Sequence, residues 1–144
     1  MAGLLQETRA AGSPAGVFSP EAVEAVEETV QALCVLLDEH RAGEVTALDL
    51  RELHSWTDYF IIATVTSGAH RDGLLRHVKD FAGERGISMR GSGKTSSGTD
   101  DLWSLVDLGT VVVHLMSPSS RSFYELERLW SSAKTVYPKF AFKA

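Results

Sequence analysis

The chain lacks several features that would assign it to large classes of protein. Its 144 residues include a single cysteine, Cys34, so an intrachain disulfide and a Cys-rich zinc site are both excluded. No apolar run approaches the roughly 20 residues that a membrane-spanning helix needs. The first residues, MAGLLQETRA, carry no cationic segment followed by a long apolar one, so we expect no secretory signal. These absences predict an intracellular protein. The first residues also lack the Arg-rich, acidic-poor character of a transit peptide, which favours the cytoplasm over an organelle matrix.

Basic charge is also scarce. The sequence has 14 Lys and Arg against 19 Asp and Glu, a formal net charge of −5. Direct nucleic-acid or membrane binding depends on clustered Lys and Arg, so the composition argues against both. The acidity is concentrated, since residues 1–58 carry a net −8 and residues 59–144 a net +3. The acidic part either faces a basic partner or forms a solvated helix face, and both interpretations stay open.

Catalytic signatures are missing as well. The run Gly93-Lys94-Thr95 resembles the end of a phosphate-binding loop, but Ser88 stands where the motif needs glycine, and a strand is expected to follow instead of a helix. His70 and His77 would lie about 10 Å apart along a helix, too far for one metal without further ligands. No basic cluster near Cys34 would activate its thiol, so we expect it to be packed and inert. We predict no catalytic residue, no metal and no cofactor.

The length fits one domain at roughly 100–200 residues per domain. Gly, Ala, Ser and Pro dominate residues 10–16, and no apolar period appears before residue 19. We therefore predict a disordered N-terminal extension over residues 1–18 and a folded domain over residues 19–140.

Apolar spacing and end signals predict three helices. The first begins at Ser19-Pro20 and has Gly43 as its C-cap. The second is capped by Ser67 and stops at Gly86. The third opens at Pro118 and ends before Pro138. The predicted inner side of this last helix consists of Phe123, Leu126, Leu129, Trp130 and Ala133.

Five strands are predicted from β-branched and aromatic runs. They cover Val45–Leu50, Thr57–Val65, Ile87–Met89, Leu102–Val106 and Thr110–Leu115, the last two forming a hairpin. Residues 91–99 contain only Gly, Ser, Thr and one Lys, which predicts a flexible loop. The order of elements predicts helices on both faces of one mixed sheet, which is either an α/β or an α+β fold. Of these two classes we predict α/β.

The segment 102–130 carries the strongest functional signal. It places Trp103, Arg121, Tyr124 and Trp130 close in sequence, and Trp, Tyr and Arg are enriched at interface hot spots. Trp103 and Asp107 are four residues apart on a strand, so they point to one face. From the residues alone, the segment is either an ordinary aromatic core or a protein-docking surface.

The same segment is similar to the Iojap-related ribosomal silencing factors. The resemblance lies in Trp103–His114 and Arg121–Trp130, with matching motifs upstream, and covers roughly residues 21–137. It implies a nucleotidyltransferase-like topology without the catalytic set. It also implies a homodimer that binds the large ribosomal subunit at its ribosomal protein number fourteen, blocks joining of the small subunit and damps translation under nutrient limitation. The implied partner-binding residues are Trp103, Asp107, His114, Arg121, Tyr124 and Glu127.

Two alternatives remain at this point. A nucleotidyltransferase-like enzyme would use Asp100 and Asp101 with the neighbouring Gly/Ser-rich loop, although adjacent carboxylates on an extended segment point to opposite sides. An assembly adaptor would use the same aromatic surface for another partner. The missing catalytic set favours a factor that acts by occupying space, which needs only affinity and bulk.

Overall fold

The computed structural model describes residues 20–53, 57–95 and 103–138. In chain order, the helices and strands are α1 (Pro20–Glu39), β1 (Gly43–Asp49), β2 (Tyr59–Thr64), α2 (Gly68–Glu84), β3 (Gly91–Thr95), β4 (Trp103–Asp107), β5 (Val111–Met116), α3 (Pro118–Tyr124), α4 (Leu126–Leu129) and β6 (Lys134–Tyr137). The six strands form one mixed sheet in the order β3-β4-β5-β2-β1-β6, which confirms the α/β class. The extension predicted over residues 1–18 lies outside the described residues, and the domain bounds stay predictions.

Strands β2 and β5 form the centre of the sheet and are its one parallel pair among the described strands. Every residue of β5 is buried, and so is every residue of β2 except Thr64. A strand that is covered on both faces has a nearly continuous apolar sequence, so this burial explains the clear strand signal over residues 57–65.

Helices α1 and α2 cover the first face of the sheet and enclose the larger core. Leu33 and Leu37 of α1 and Leu74 and Val78 of α2 are buried here, against strand residues such as Ile61. Full burial of one such side chain contributes about 1.5–3 kcal/mol, so this layer supplies much of the apolar stabilisation. Cys34 is also buried in it, and burial raises the pKa of the Cys34 thiol well above its usual range. The prediction of a packed thiol is therefore confirmed, and a raised pKa disfavours the reactive thiolate.

Helices α3 and α4 cover the second face, but only in part, because they have seven and four residues. The core beneath them is smaller and comprises Leu48, Leu50, Phe60, Ile62, Val112, Met116 and Leu126. Trp103, Leu105 and Trp130 pack against this cluster and stay partly exposed. The β4 end of the second face is therefore less covered than the centre.

The helix ends confirm two predictions and correct one. Ser67 begins α2 by accepting a hydrogen bond from the His70 N–H at 3.0 Å, and Gly86 follows its end at φ 68°. The predicted C-cap at Gly43 is wrong, because α1 ends at Glu39 and Arg41 takes the left-handed conformation at φ 72°. The predicted N-cap at position 19 lies outside the described residues.

Gly43 begins β1 instead. Glycine fits this position because the backbone of β1 lies close to Thr64 of β2 here. A Cβ at position 43 would lie 3.3 Å from the Cβ of Thr64 on the adjacent strand. The two strands therefore meet here with little space for a side chain.

The predicted flexible loop over residues 91–99 is wrong in its first half. Gly91–Thr95 forms the edge strand β3, which pairs antiparallel with β4. Pairing with a neighbouring strand stabilises a Gly/Ser/Thr sequence that has little strand propensity of its own. The predicted strand at Ile87–Met89 is also wrong, because these residues join α2 to β3 without regular structure. Residues 96–99, Asp100 and Asp101 lie outside the described part of the chain.

The predicted last helix is divided into α3 and α4 at Glu125, which has φ 48°. Phe123 was predicted inside but is 79% exposed, because the break changes which side of the helix faces the sheet. Leu126, Trp130 and Ala133 pack inward as predicted, and the side chain of Leu129 lies outside the description. The chain then adds the edge strand β6, so Pro138 follows a strand and not the helix end.

Among the residues described, no helix combines the length and apolar character that crossing a membrane would require.

Two glycine substitutions test this backbone. Gly73 lies inside α2 with nothing within 4 Å of a built Cβ, so Gly73→Ala is expected to raise the free energy of unfolding by about 0.5–1 kcal/mol.

Gly109 has φ 92°, and its Cβ would lie 3.3 Å from the Nε of Arg90. Gly109→Ala is therefore expected to destabilise by more than about 1 kcal/mol. Urea unfolding measures both, and equal effects would contradict the assigned backbone.

Candidate functional site

Aromatic rings lie at the surface where α3 meets the less covered end of the sheet. The Trp103 ring of β4 and the Tyr124 ring at the end of α3 have centroids 4.6 Å apart. Phe123 packs edge-on against Tyr124, with centroids 4.9 Å apart. Phe123 and Tyr124 are 79% and 48% exposed, and Trp103 is partly exposed. We call Trp103, Phe123 and Tyr124 the aromatic patch.

The alternation of β4 places Trp103 on this face. Trp103, Leu105 and Asp107 are partly exposed, whereas the residues between them are buried against the helices. On the edge strand β3, Gly93 pairs with Leu105 and Gly91 with Asp107. Glycine has no side chain with which to cover its neighbour, so Leu105 extends the apolar surface beside the aromatic patch.

His114 lies beneath the aromatic patch and is only 4% exposed. The indole Nε1–H of Trp103 donates to His114 Nδ1 at 3.1 Å, and the Phe60 ring contacts the imidazole edge-on at 4.6 Å. Because an indole nitrogen can only donate, Nδ1 is the acceptor and the neutral ring carries its proton on Nε2. Burial lowers the pKa of His114 to about 4, so the imidazole is neutral near pH 7.

Arg121 is buried although it is charged. Its Nε and Nη2 donate to Glu127 Oε2 at 3.0 and 2.5 Å. The guanidinium also donates to Thr64 Oγ1 at 2.9 Å, Thr46 Oγ1 at 3.2 Å and the Gly43 carbonyl at 3.4 Å. A buried charge is tolerated when it is paired and hydrogen-bonded, and Arg121 meets both conditions. It therefore ties α3 to β1, β2 and α4.

The Arg121–Glu127 pair spans the break between the two short helices. The Glu125 N–H donates to the Arg121 carbonyl at 2.9 Å and closes the end of α3. A non-glycine residue in the left-handed conformation costs about 1–2 kcal/mol, so the break at Glu125 needs support from contacts such as this pair. The pair thereby fixes the end of α3, where Phe123 and Tyr124 lie.

Asp107 closes the turn between β4 and β5. Its Oδ1 accepts a hydrogen bond from the Gly109 N–H at 2.8 Å, and the Leu108 N–H donates to the Val111 carbonyl at 2.8 Å. Asp107 lies at the opposite end of β4 from Trp103, and its carboxylate contacts the turn.

The remaining described histidines join α1 to α2. The rings of His40 and His77 stack with centroids 3.6 Å apart, and His70 Nε2 lies 3.3 Å from the His40 carbonyl. Within the described ranges, no group of three or more His, Cys, Asp or Glu side chains is arranged to hold a metal ion.

Comparison with known proteins places this arrangement in a family. Residues 23–143 match the family model described as "Ribosomal silencing factor during starvation". The chain belongs to the ribosomal silencing factor family. Membership of this family implies a regulatory role in translation that is associated with the ribosome. The family resemblance of the sequence is thereby confirmed.

Individual relatives agree with this assignment. The Bacillus subtilis protein named ribosomal silencing factor is 40% identical over 97 residues, which is 67% of this chain and 79% of that protein. The chloroplastic protein Iojap of Zea mays is 35% identical over 105 residues, 73% of this chain and 44% of that protein. A crystal structure from Chromobacterium violaceum has a TM-score of 0.65 at 32% identity, covering 73% of this chain and 85% of that one.

The six residues implied by the family resemblance take distinct positions in this chain. Trp103 and Tyr124 are in contact at the surface, with His114 directly below. Arg121 and Glu127 form the pair behind α3, and Asp107 lies at the turn. Sequence reasoning missed Phe123 as a surface residue and Leu105 as a partly exposed apolar residue on the same face of β4 as Trp103. Alternation along β4 was the available signal for Leu105, whereas no local signal marked the helix break.

Removing the buried guanidinium tests its structural role. Arg121→Met is expected to lower the free energy of unfolding by about 2–4 kcal/mol, because it leaves Glu127 and two threonine hydroxyls without their donor. Arg128→Met is the matched control: Arg128 pairs with Glu125, but its side chain is 83% exposed, so the change should stay within about 0.5 kcal/mol. Chemical denaturation measures both, and similar small losses would contradict a structural role for Arg121.

Burial of His114 predicts a pH dependence of stability. The pKa of His114 is about 4 in the folded chain and 6.5 when unfolded, so between these values the unfolded state binds the extra proton. The contribution of His114 to the free energy of unfolding is fully present above pH 6.5 and falls as the pH drops towards 4. Its total change amounts to about 3 kcal/mol. The free energy of unfolding, measured with urea at several pH values, is expected to depend less steeply on pH for His114→Gln than for the unmodified chain. Equal slopes would contradict a neutral buried imidazole.

Proposed function

We propose that this protein represses translation by binding the large ribosomal subunit through ribosomal protein number fourteen and sterically blocking joining of the small subunit. We further propose that it acts in the cytoplasm under nutrient limitation. The observation that supports docking is the contact of the partly exposed Trp103 with the exposed Tyr124 on an incompletely covered sheet face. Contiguous exposed apolar surface in a soluble fold is typical of an interaction site.

The chemistry of the surface suits a protein partner. Trp and Tyr are the residues that most often dominate binding energy, because they bury large rigid areas at low entropy cost. Leu105 extends the apolar area along β4, and Arg121 with Glu127 holds the end of α3. Of the six candidate residues, we propose that Trp103 and Tyr124 contact the partner, whereas Asp107, His114, Arg121 and Glu127 maintain the surface.

Steric repression requires affinity and bulk but no reaction. An interface of about 800 Å² per partner is within reach of one face of a domain of this size. Ribosomal proteins are generally basic, and the exposed carboxylates Glu24 and Glu28 of α1 would favour their approach electrostatically. Specific contacts would still come from the aromatic patch, on the opposite face of the sheet.

We also propose a homodimer. If a second copy covers the aromatic patch, the dimer has to dissociate before it can dock. The onset of repression would then show a time lag at high protein concentration. If the second copy binds elsewhere, repression would rise with concentration without a lag.

The decisive experiment is a subunit-joining assay with purified ribosomal subunits. The protein is expected to sediment with large subunits and to reduce the formation of complete ribosomes. No binding to large subunits would overturn the proposal. Binding without an effect on joining would favour the assembly-adaptor alternative, and Mg²⁺-dependent nucleotide turnover abolished by Asp100→Asn with Asp101→Asn would favour the enzyme.

Substitutions in the aromatic patch test the docking surface. Trp103→Ala and Tyr124→Ala are each expected to weaken binding to large subunits by about 1–4 kcal/mol, as hot-spot truncations do. Val35→Ala is the matched control, because Val35 is also an exposed apolar residue but lies on α1, over the opposite face. Sedimentation binding measures affinity, and circular dichroism checks that each variant is folded. A folded Trp103 variant with unchanged affinity would refute the proposed surface.

A further inference from the structure

The indole nitrogen of Trp103 is engaged inside the protein. Its Nε1–H donates to His114 Nδ1 at 3.1 Å, and an indole offers one N–H and no acceptor. His114 is itself fixed, because it lies 4% exposed on the central strand β5 with the Phe60 ring against it. The hydrogen bond therefore anchors a surface ring to a rigid strand.

The anchor and the Tyr124 contact together define how Trp103 is presented. His114 holds the nitrogen edge of the indole from below, and the Tyr124 ring lies against the indole at 4.6 Å. The backbone of β4 fixes the Cα end of the side chain through pairing with β5 on one side and β3 on the other. An anchor of this kind reduces the side-chain entropy that docking would otherwise cost.

We infer that His114 is a positioning residue that fixes the Trp103 indole through Nδ1, so that the surface offers its partner an apolar ring face and no indole hydrogen-bond donor. This inference rests on the proposed docking function. The partner group that fits is an apolar side chain, since Leu105 and Phe123 extend the same surface. A partner that relied on a carbonyl or carboxylate to bind the indole N–H would compete with His114.

The hydrogen bond itself can be tested without any partner. In the ¹⁵N-labelled chain, a scalar coupling between Trp103 Nε1 and His114 Nδ1 is expected, together with the Nε2–H tautomer of His114. Trp103→Phe assigns the indole resonance among the three tryptophans of the sequence. If the coupling is missing, or if His114 carries its proton on Nδ1, the inference is wrong whatever the protein binds.

Binding to purified large subunits then tests the positioning role. His114→Leu keeps the site apolar but removes the acceptor, and it is expected to weaken binding about 5–30-fold. His114→Gln retains an amide oxygen that can accept the indole N–H, so it is expected to recover part of that loss. Ser104→Ala is the control, because Ser104 is equally buried on β4 but faces the other side of the sheet.

A double-mutant cycle separates positioning from general structural damage. Trp103→Ala should cost less affinity in the His114→Leu background than in the unmodified chain, because the ring is no longer held in place. Additive losses would overturn the positioning role. Trp103→Phe should bind better than Trp103→Ala, and equal losses would indicate that the partner uses the indole N–H. Failure of the unmodified chain to bind large subunits would refute the docking function, while the ¹⁵N coupling would still report on the His114 anchor.

Discussion

The parallel pairing of β2 with β5 is the constraint on which the rest of the molecule depends. Both strands are almost entirely buried, so the chain has to supply a layer of helices on each face of the sheet. The same two strands contribute Phe60 and His114, which lie directly under the aromatic patch. The strands β2 and β5 therefore form both the centre of the fold and the base of the candidate site.

The two layers are unequal, and this inequality produces the site. Helices α1 and α2, with 20 and 17 residues, close the first face, whereas α3 and α4 are too short to close the second. In the part of the chain that the structure describes, the less covered end of this face is at β4. Arg121, which is buried, pairs across the break with the partly exposed Glu127, next to the end of α3 where Tyr124 contacts Trp103.

This arrangement is consistent with a regulator that acts by occupying a surface. The aromatic rings are supported from below, and the one histidine among them is neutral because it is buried. The docking proposed above would use this supported apolar surface. The exposed carboxylates Glu24 and Glu28 lie on α1, on the opposite face of the sheet.

The sequence by itself determined the α/β class, the central strands, the Ser67 and Gly86 helix ends and the family, because each depends on local periodicity, a cap residue or motifs in a fixed order. Only the tertiary structure decided that Gly91–Thr95 pairs as a strand, that a left-handed Glu125 divides the last helix, and that Phe123 is exposed. These features depend on partners distant in the chain: β4 pairs with β3, and Arg121 reaches Thr46 and Thr64. Local propensity contains no information about such partners, so the composition of the site was predictable but its geometry was not.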